Sequence, residues 1–156
     1  MPTFNTTPFI FIYSLEIPAV AAPRVWAAWN DLAGWHHWDV SLTGTDAAEN
    51  GLALGKRFAV LPNGGPGAIT VSVTSLIDGV HFTTTANTPM GLLSFGHTLM
   101  LSGDRQSVQL QHSICAAPAE SGAALPPPLL EKLRSDVIAG VKQLAAFASQ
   151  GETPRV

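Results

Sequence analysis

The fold of this chain depends most on one C-terminal stretch, LLEKLRSDVIAGVKQLAAFAS at residues 129–149. Its apolar residues recur every three or four positions, which is the spacing of one face of an α-helix. They are Leu130, Leu133, Val137, Val141, Leu144 and Ala148. Charged side chains such as Glu131 and Lys142 occupy the opposite face. The pattern predicts one long helix of about 31 Å, whose apolar stripe must be covered by another element.

The residues before this helix alternate between apolar and polar side chains, as half-buried β-strands do. Residues 69–74, ITVSVT, show the pattern most clearly, and Asp78-Gly79 is typical of a tight hairpin turn. We predict strands at residues 9–17, 40–44, 57–61, 68–76, 80–86, 92–101 and 107–116. About seven antiparallel strands therefore precede the long helix.

Two short helices are predicted between the first and second strands. Pro23 sits at a position that helices tolerate in their first turn, so it opens a helix at residues 24–29, and a second turn follows at 30–33. Strands followed by a segregated helix indicate an α+β fold, here a curved antiparallel sheet wrapped around the C-terminal helix. We expect one domain over residues 1–150 and a disordered tail at 151–156.

The amino-acid composition disfavours several classes of function. Charged residues make up 12% of the 156-residue chain, against about 25% in an average domain, and the net charge is −3. No cluster of Lys and Arg is present, which disfavours nucleic-acid binding. No apolar run approaches the length of a membrane span, and the N-terminal apolar run lacks the features of a signal peptide. We expect a cytoplasmic protein, either monomer or homodimer.

Metal and thiol chemistry is not indicated either. No His and Cys residues have the spacing of a zinc site, and we expect no metal and no cofactor. His36 and His37 are expected to be exposed. Cys115 has no argued catalytic partner, and its strand position predicts a small buried side chain.

The order of elements and several motifs resemble the helix-grip superfamily, which contains START-type lipid-transfer domains, birch-pollen-allergen-like proteins and the polyketide cyclase/dehydrase group. The resemblance covers roughly residues 8–150. It is carried by residues 16–26, by 31–39, by Gly51 and Gly55 before Phe58, by 95–97 and by 136–144. It implies a hydrophobic cavity between sheet and helix, and no catalytic motif common to the superfamily.

His97 and His112 are the most informative polar residues. Each interrupts an apolar strand face, and the two strands are joined by a short turn. If Leu101 lies opposite Val108, His97 lies opposite His112. The pair is either a polar centre in an apolar pocket or two core histidines that are hydrogen-bonded to the backbone or to Tyr13.

Trp35 and Trp38 flank the entry to the sheet, and they either cover a ligand or anchor the short helices. We expect a cavity of about 300–1,000 Å³. The predicted lining residues are Tyr13, Trp35, Trp38, Phe58, Val71, Phe82, Phe95, His97, His112, Val137, Val141 and Leu144.

The sequence thus predicts binding of a small hydrophobic or amphipathic molecule, lipid-like, aromatic or polyketide-like. A rival interpretation is an enzyme of the cyclase or dehydratase type. One histidine would then act as base and the other as acid, and Tyr13 would either orient one of them or donate to the substrate's carbonyl oxygen. A third is a partner-binding module with a filled core.

Overall fold

A computed structural model describes residues 8–64, 67–119 and 124–149 of the chain. The strands are β1 (Phe9–Pro18), β2 (Leu42–Thr45), β3 (Arg57–Pro62), β4 (Ile69–Ile77), β5 (His81–Thr88), β6 (Gly91–Leu101) and β7 (Ser107–Pro118). The helices are α1 (Ala22–Asn30) and α2 (Pro127–Ser149), with 3₁₀ segments at Ala19–Ala21 and Leu32–His37. Residues 151–156, predicted to form a disordered tail, lie outside the described residues.

The strands form one antiparallel sheet in the order β1-β7-β6-β5-β4-β3-β2. Every neighbouring pair is antiparallel, and five of the six pairs join strands that are consecutive in the chain, from β2 to β7. The helix α2 packs on the sheet with its contacts concentrated on β1 and β7. The predicted α+β architecture is confirmed, with short helices after the first strand.

The apolar stripe of α2 faces the sheet as predicted. Its buried residues are Leu133, Val137, Gly140, Val141, Leu144 and Ala148. They belong to one core cluster with inward-facing strand residues such as Phe82, Leu110 and Ile114. Within the described ranges, no helix is long and apolar enough to cross a membrane.

The element boundaries differ from the predicted ones where side-chain hydrogen bonds or tight turns, rather than the hydrophobic periodicity, determine the backbone conformation. Residues 40–41 do not begin β2, because Asp39 Oδ1 accepts hydrogen bonds from the backbone and hydroxyl of Ser41 and holds a turn there. The connection predicted at residues 87–91 is shorter, since β5 extends to Thr88 and β6 begins at Gly91. The long helix begins at Pro127, as prolines are tolerated in the first turn.

The expectation that Cys115 is buried is wrong. Its side chain is exposed, because it lies on the face of β7 that points away from α2, opposite Ile10 on β1 and Ser94 on β6. The strand alternation that buries Ile114 and Ala116 necessarily turns Cys115 outward.

The burial of the apolar stripe on α2 leads to a prediction about stability. Leu144 is fully buried, so Leu144→Ala should lower the free energy of unfolding by about 2–5 kcal/mol. Gln143 is its exposed neighbour, and Gln143→Ala should stay within about 0.5 kcal/mol of the parent. Denaturant unfolding followed by circular dichroism measures both. Equal, small effects of the two substitutions would show that α2 does not cover the sheet.

Candidate functional site

The two histidines lie side by side at the centre of the sheet's inner face. His97 on β6 is opposite His112 on β7, and Leu101 is opposite Val108, which is the predicted register. The ring centroids are 4.7 Å apart with an interplanar angle of 72°. Both side chains are buried. The short turn between the strands thus places two imidazoles together in an apolar interior.

A shell of aromatic rings surrounds the pair. Phe82 stacks flat on His97, with centroids 4.0 Å apart and planes within 3°. Trp29 and Trp38 each contact both histidines, with centroids 5.5–6.1 Å apart. Aromatic side chains therefore surround the two histidines between the sheet and α2.

The segment between β1 and β2 carries the tryptophans of this shell. Trp29 is on the buried face of α1, one turn after Val25. Trp35 and Trp38 are three residues apart, about one turn of a 3₁₀-helix, so both rings point inward. The indole N–H of Trp35 donates to the carbonyl oxygen of Trp29 at 2.8 Å, which ties the 3₁₀ segment to the end of α1.

The helix α2 approaches the histidines through a residue without a side chain. A Cβ atom added to Gly140 would lie 3.3 Å from Nδ1 of His112 and 4.0 Å from the ring of Trp38. Since most Cβ contacts are longer than this, the glycine lets the backbone of α2 pass close to the imidazole.

Three ring nitrogens of the cluster lack hydrogen-bond partners among the described residues. They are Nε1 of Trp29, Nε1 of Trp38 and Nε2 of His112. Buried polar atoms are nearly always paired, because an unpaired one costs about 1–3 kcal/mol. One of the three belongs to the His112 ring and the other two to the indole rings packed against it, so unpaired polar atoms lower the stability of the core at this cluster.

Both imidazoles are neutral at pH 7. Burial lowers the pKa of His112 from 6.5 to about 3. Burial also lowers the pKa of His97 well below its usual value, and the neighbouring His112 lowers it further. The Nδ1 atom of His97 lies 3.4 Å from the carbonyl oxygen of Phe82, a long hydrogen bond at best. The cluster is therefore polar but uncharged.

The structure brings all the predicted lining residues into or against one core. Most are buried, whereas Tyr13 and Phe95 are half-buried and pack on its margin. Tyr13 lies directly across from His112 in the sheet. Its hydroxyl forms no hydrogen bond with either histidine in the described part of the chain, so the predicted bond from Tyr13 to the pair is not present. Trp35 and Trp38 are both buried, and the hydrogen bond of Trp35 to Trp29 fits the interpretation that Trp35 anchors the short helical segments.

Sequence reasoning missed Trp29 and Gly140. Trp29 follows Val25 by four residues on α1, so helical spacing would have placed it inward. Gly140 gave a weaker signal, a glycine inside an otherwise strong helix pattern, which costs about 1 kcal/mol relative to alanine and implies a packing reason.

A separate cleft opens on the surface. It has a volume of about 310 Å³ and is lined by Ala22, Pro23, Trp26 and Gly79, none of which we predicted as lining residues. Trp26 also contacts Trp29 edge-on, with centroids 5.9 Å apart.

His36 and His37 are exposed as expected, and no group of three potential metal ligands occurs among the residues the structure describes.

Solved structures share this architecture over nearly the whole chain. A START superfamily protein from Mycobacterium smegmatis matches with a TM-score of 0.67 and 15% identity, over 92% of this chain and 99% of that one. The allergen Ara h 8.0201 matches with a TM-score of 0.66 and 11% identity, over 92% and 99%. The chain has the START-like helix-grip fold.

Norcoclaurine synthase from Thalictrum flavum has the same helix-grip fold. It matches with a TM-score of 0.67 and 11% identity, over 95% of this chain and 90% of that one, and was solved in complex with dopamine and hydroxybenzaldehyde. No family model matches the chain, and no curated protein is significantly similar in sequence. Identities this low establish the fold and transfer no residue roles.

The unpaired nitrogen of His112 yields an unusual stability prediction. His112→Leu removes a buried polar atom that has no partner and keeps a similar volume, so it should raise the free energy of unfolding by about 1 kcal/mol and the Tm by about 2–4 °C. His81 is the matched control, because its two ring nitrogens bond to Ser75, Thr83 and Thr98. His81→Leu should not stabilise. Marked destabilisation by His112→Leu would mean that the imidazole is well paired in solution.

The low pKa of His112 also predicts a pH dependence. The unfolded chain binds a proton to this residue below about pH 6.5, whereas the folded protein does so only near pH 3. Protonation of this residue therefore leaves stability unchanged above pH 6.5 and lowers it as pH falls below 6.5, by up to about 1.4 kcal/mol per pH unit. Unfolding of the parent and of His112→Leu at pH 4.5–7 should show a flatter profile for the variant. Parallel profiles would contradict the neutral buried state.

Proposed function

We propose that this helix-grip protein binds a small, mostly apolar molecule between the sheet and α2, beside His97 and His112. The observation that carries the proposal is the set of unpaired nitrogens on Trp29, Trp38 and His112. A core that served only stability would pair these atoms or replace them with carbon. A ligand with a polar atom would supply the missing partner.

The surroundings fit a mostly apolar ligand. Apolar walls with few convergent polar groups are the usual design of small-molecule sites. Here the walls come from Phe82 and Val141, both fully buried. The protein from Thalictrum flavum shows that a chain with this fold accommodates small hydroxylated aromatic compounds, which supports the same scale of ligand here.

The rings must part to admit a ligand, because they contact one another at the histidines. The contacts of Trp29 and Trp38 with the histidines are edge-on or tilted, not flat stacks. Parting them lowers the apparent affinity by the fraction of molecules that are open. We therefore expect modest affinity and association slower than the usual range of about 10⁵–10⁷ M⁻¹s⁻¹.

Acid–base catalysis by the two histidines is the less favoured alternative. It requires one imidazolium as acid and one imidazole as base. Burial lowers the pKa of both residues, so the acid is not available at pH 7. Tyr13 does not form a hydrogen bond with either ring and so does not replace the missing acid.

The third interpretation, a partner-binding module with a filled core, leaves the unpaired nitrogens without a role.

A neutral apolar dye tests the proposal. N-phenyl-1-naphthylamine should bind the parent with a rise in fluorescence. Gly140→Ala, which adds a methyl group against His112, should weaken binding about tenfold, equivalent to 1.4 kcal/mol. Gly103→Ala is the matched control, since a Cβ there meets no atom within 4 Å, and it should bind the dye as the parent does.

Two results would count against an interior site. One is dye binding that Gly140→Ala leaves unchanged, and the other is no dye binding together with no adduct in native mass spectra of protein purified from its host. Dye binding that is lost only in a Trp26→Ala variant would move the site to the surface cleft.

A further inference from the structure

The three unpaired nitrogens occupy one neighbourhood and are thoroughly buried. The exposed fractions of Trp29, Trp38 and His112 are 0%, 2% and 5%. Both indole rings lie against the His112 ring, with centroids 5.8 Å and 5.5 Å from it. The neighbouring polar groups are already engaged: Trp35 donates to the carbonyl of Trp29, and His97 faces the carbonyl of Phe82. Recognition of a polar ligand atom thus falls to these three side chains.

Their chemistry selects for an oxygen that accepts hydrogen bonds. An indole N–H is only a donor, so Trp29 and Trp38 must meet an acceptor. The Nε2 atom of a neutral imidazole donates in one tautomer and accepts in the other. A hydroxyl group satisfies all three atoms in the tautomer whose Nε2 accepts, because its oxygen accepts from the two indole N–H groups while its proton bonds to Nε2. An alkylamine is protonated at pH 7, so its ammonium group presents only hydrogens to the indole N–H donors and is rejected.

The absence of charge in the cluster selects against ionised ligands. His97 and His112 are the titratable groups of the cluster, and both are neutral at pH 7 because they are buried. A carboxylate or phosphate would lose its hydration here without gaining a cation, which is far more costly than burying a neutral hydroxyl group. The site therefore discriminates by charge as well as by hydrogen bonding.

We infer that the ligand is an uncharged alcohol or phenol, and that Trp29, Trp38 and His112 hold its hydroxyl oxygen. The inference rests on the proposed interior binding site and adds the chemical class of the ligand. Fatty acids, phosphorylated lipids and amines of similar size fall outside that class.

Matched naphthalene probes test the inference. Binding of 2-naphthol, 2-methylnaphthalene and 2-naphthoate to the parent is measured by equilibrium dialysis at pH 7. The hydroxyl and methyl compounds have nearly the same shape, so their affinities are compared after correction for their octanol–water partition. We expect 2-naphthol to be favoured at least about tenfold over 2-methylnaphthalene, the effect of one satisfied buried polar group, and 2-naphthoate to bind most weakly.

Variants that keep an aromatic ring but lack its N–H group test whether the ring nitrogens cause the preference for 2-naphthol. Trp29→Phe and Trp38→Phe keep an aromatic ring and remove the N–H group. Each should reduce the hydroxyl preference by about tenfold while leaving 2-methylnaphthalene binding close to that of the parent. Trp26→Phe is the matched control: Trp26 also touches Trp29, but it is half-buried and is not among the unpaired set. It should keep the full preference.

The outcomes separate this inference from the proposed function. Equal corrected affinities of 2-naphthol and 2-methylnaphthalene, or tighter binding of 2-naphthoate, would overturn the hydroxyl inference and leave an interior apolar site intact. No binding of any probe would refute both. If Trp29→Phe and Trp38→Phe fail to fold, His112→Leu provides the same comparison, and an unchanged preference in that variant overturns the assignment.

Discussion

The architecture depends on keeping two adjacent imidazoles neutral inside an apolar core. Their neutrality requires that water and countercharge be excluded, and the exclusion is achieved by surrounding the pair with Phe82, Trp29 and Trp38. The segment between β1 and β2 folds inward over the pair, and α2 presents Gly140 to the sheet at this level. A methyl group at that position would require the helix or the His112 ring to shift by a few tenths of an ångström.

The same cluster is where stability and binding oppose each other. The rest of the core consists of well-paired or purely apolar side chains, such as Val73, Leu110 and Ile114. Around His112 the chain instead buries nitrogens without partners, which lowers stability in the free protein. Such a cost is typical of sites prepared for a ligand, because the ligand then regains what folding gave up.

Much of this arrangement could be predicted from the sequence, because the local patterns of apolar and polar residues agree with the fold of the whole chain. Strand alternation in residues 107–116 and the short turn before it placed His112 inward and opposite His97. The α2 stripe followed from helical spacing alone. The packing of the aromatic rings around the histidines could not be predicted, because it depends on how the segment from α1 to Leu32–His37 folds over the sheet. Trp29 entered the site through that tertiary contact. The boundary near Asp39 was missed because a side-chain hydrogen bond overrode strand propensity.

A high-resolution crystal structure of the protein soaked with 2-naphthol tests the central claim most directly. The account predicts the naphthalene rings between the sheet and α2, with the hydroxyl oxygen about 2.7–3.2 Å from at least two of the nitrogens of Trp29, Trp38 and His112. It also predicts that the indole rings move apart relative to the ligand-free protein. Density for the probe only in the cleft beside Trp26, with the histidine cluster closed and unchanged, would contradict it.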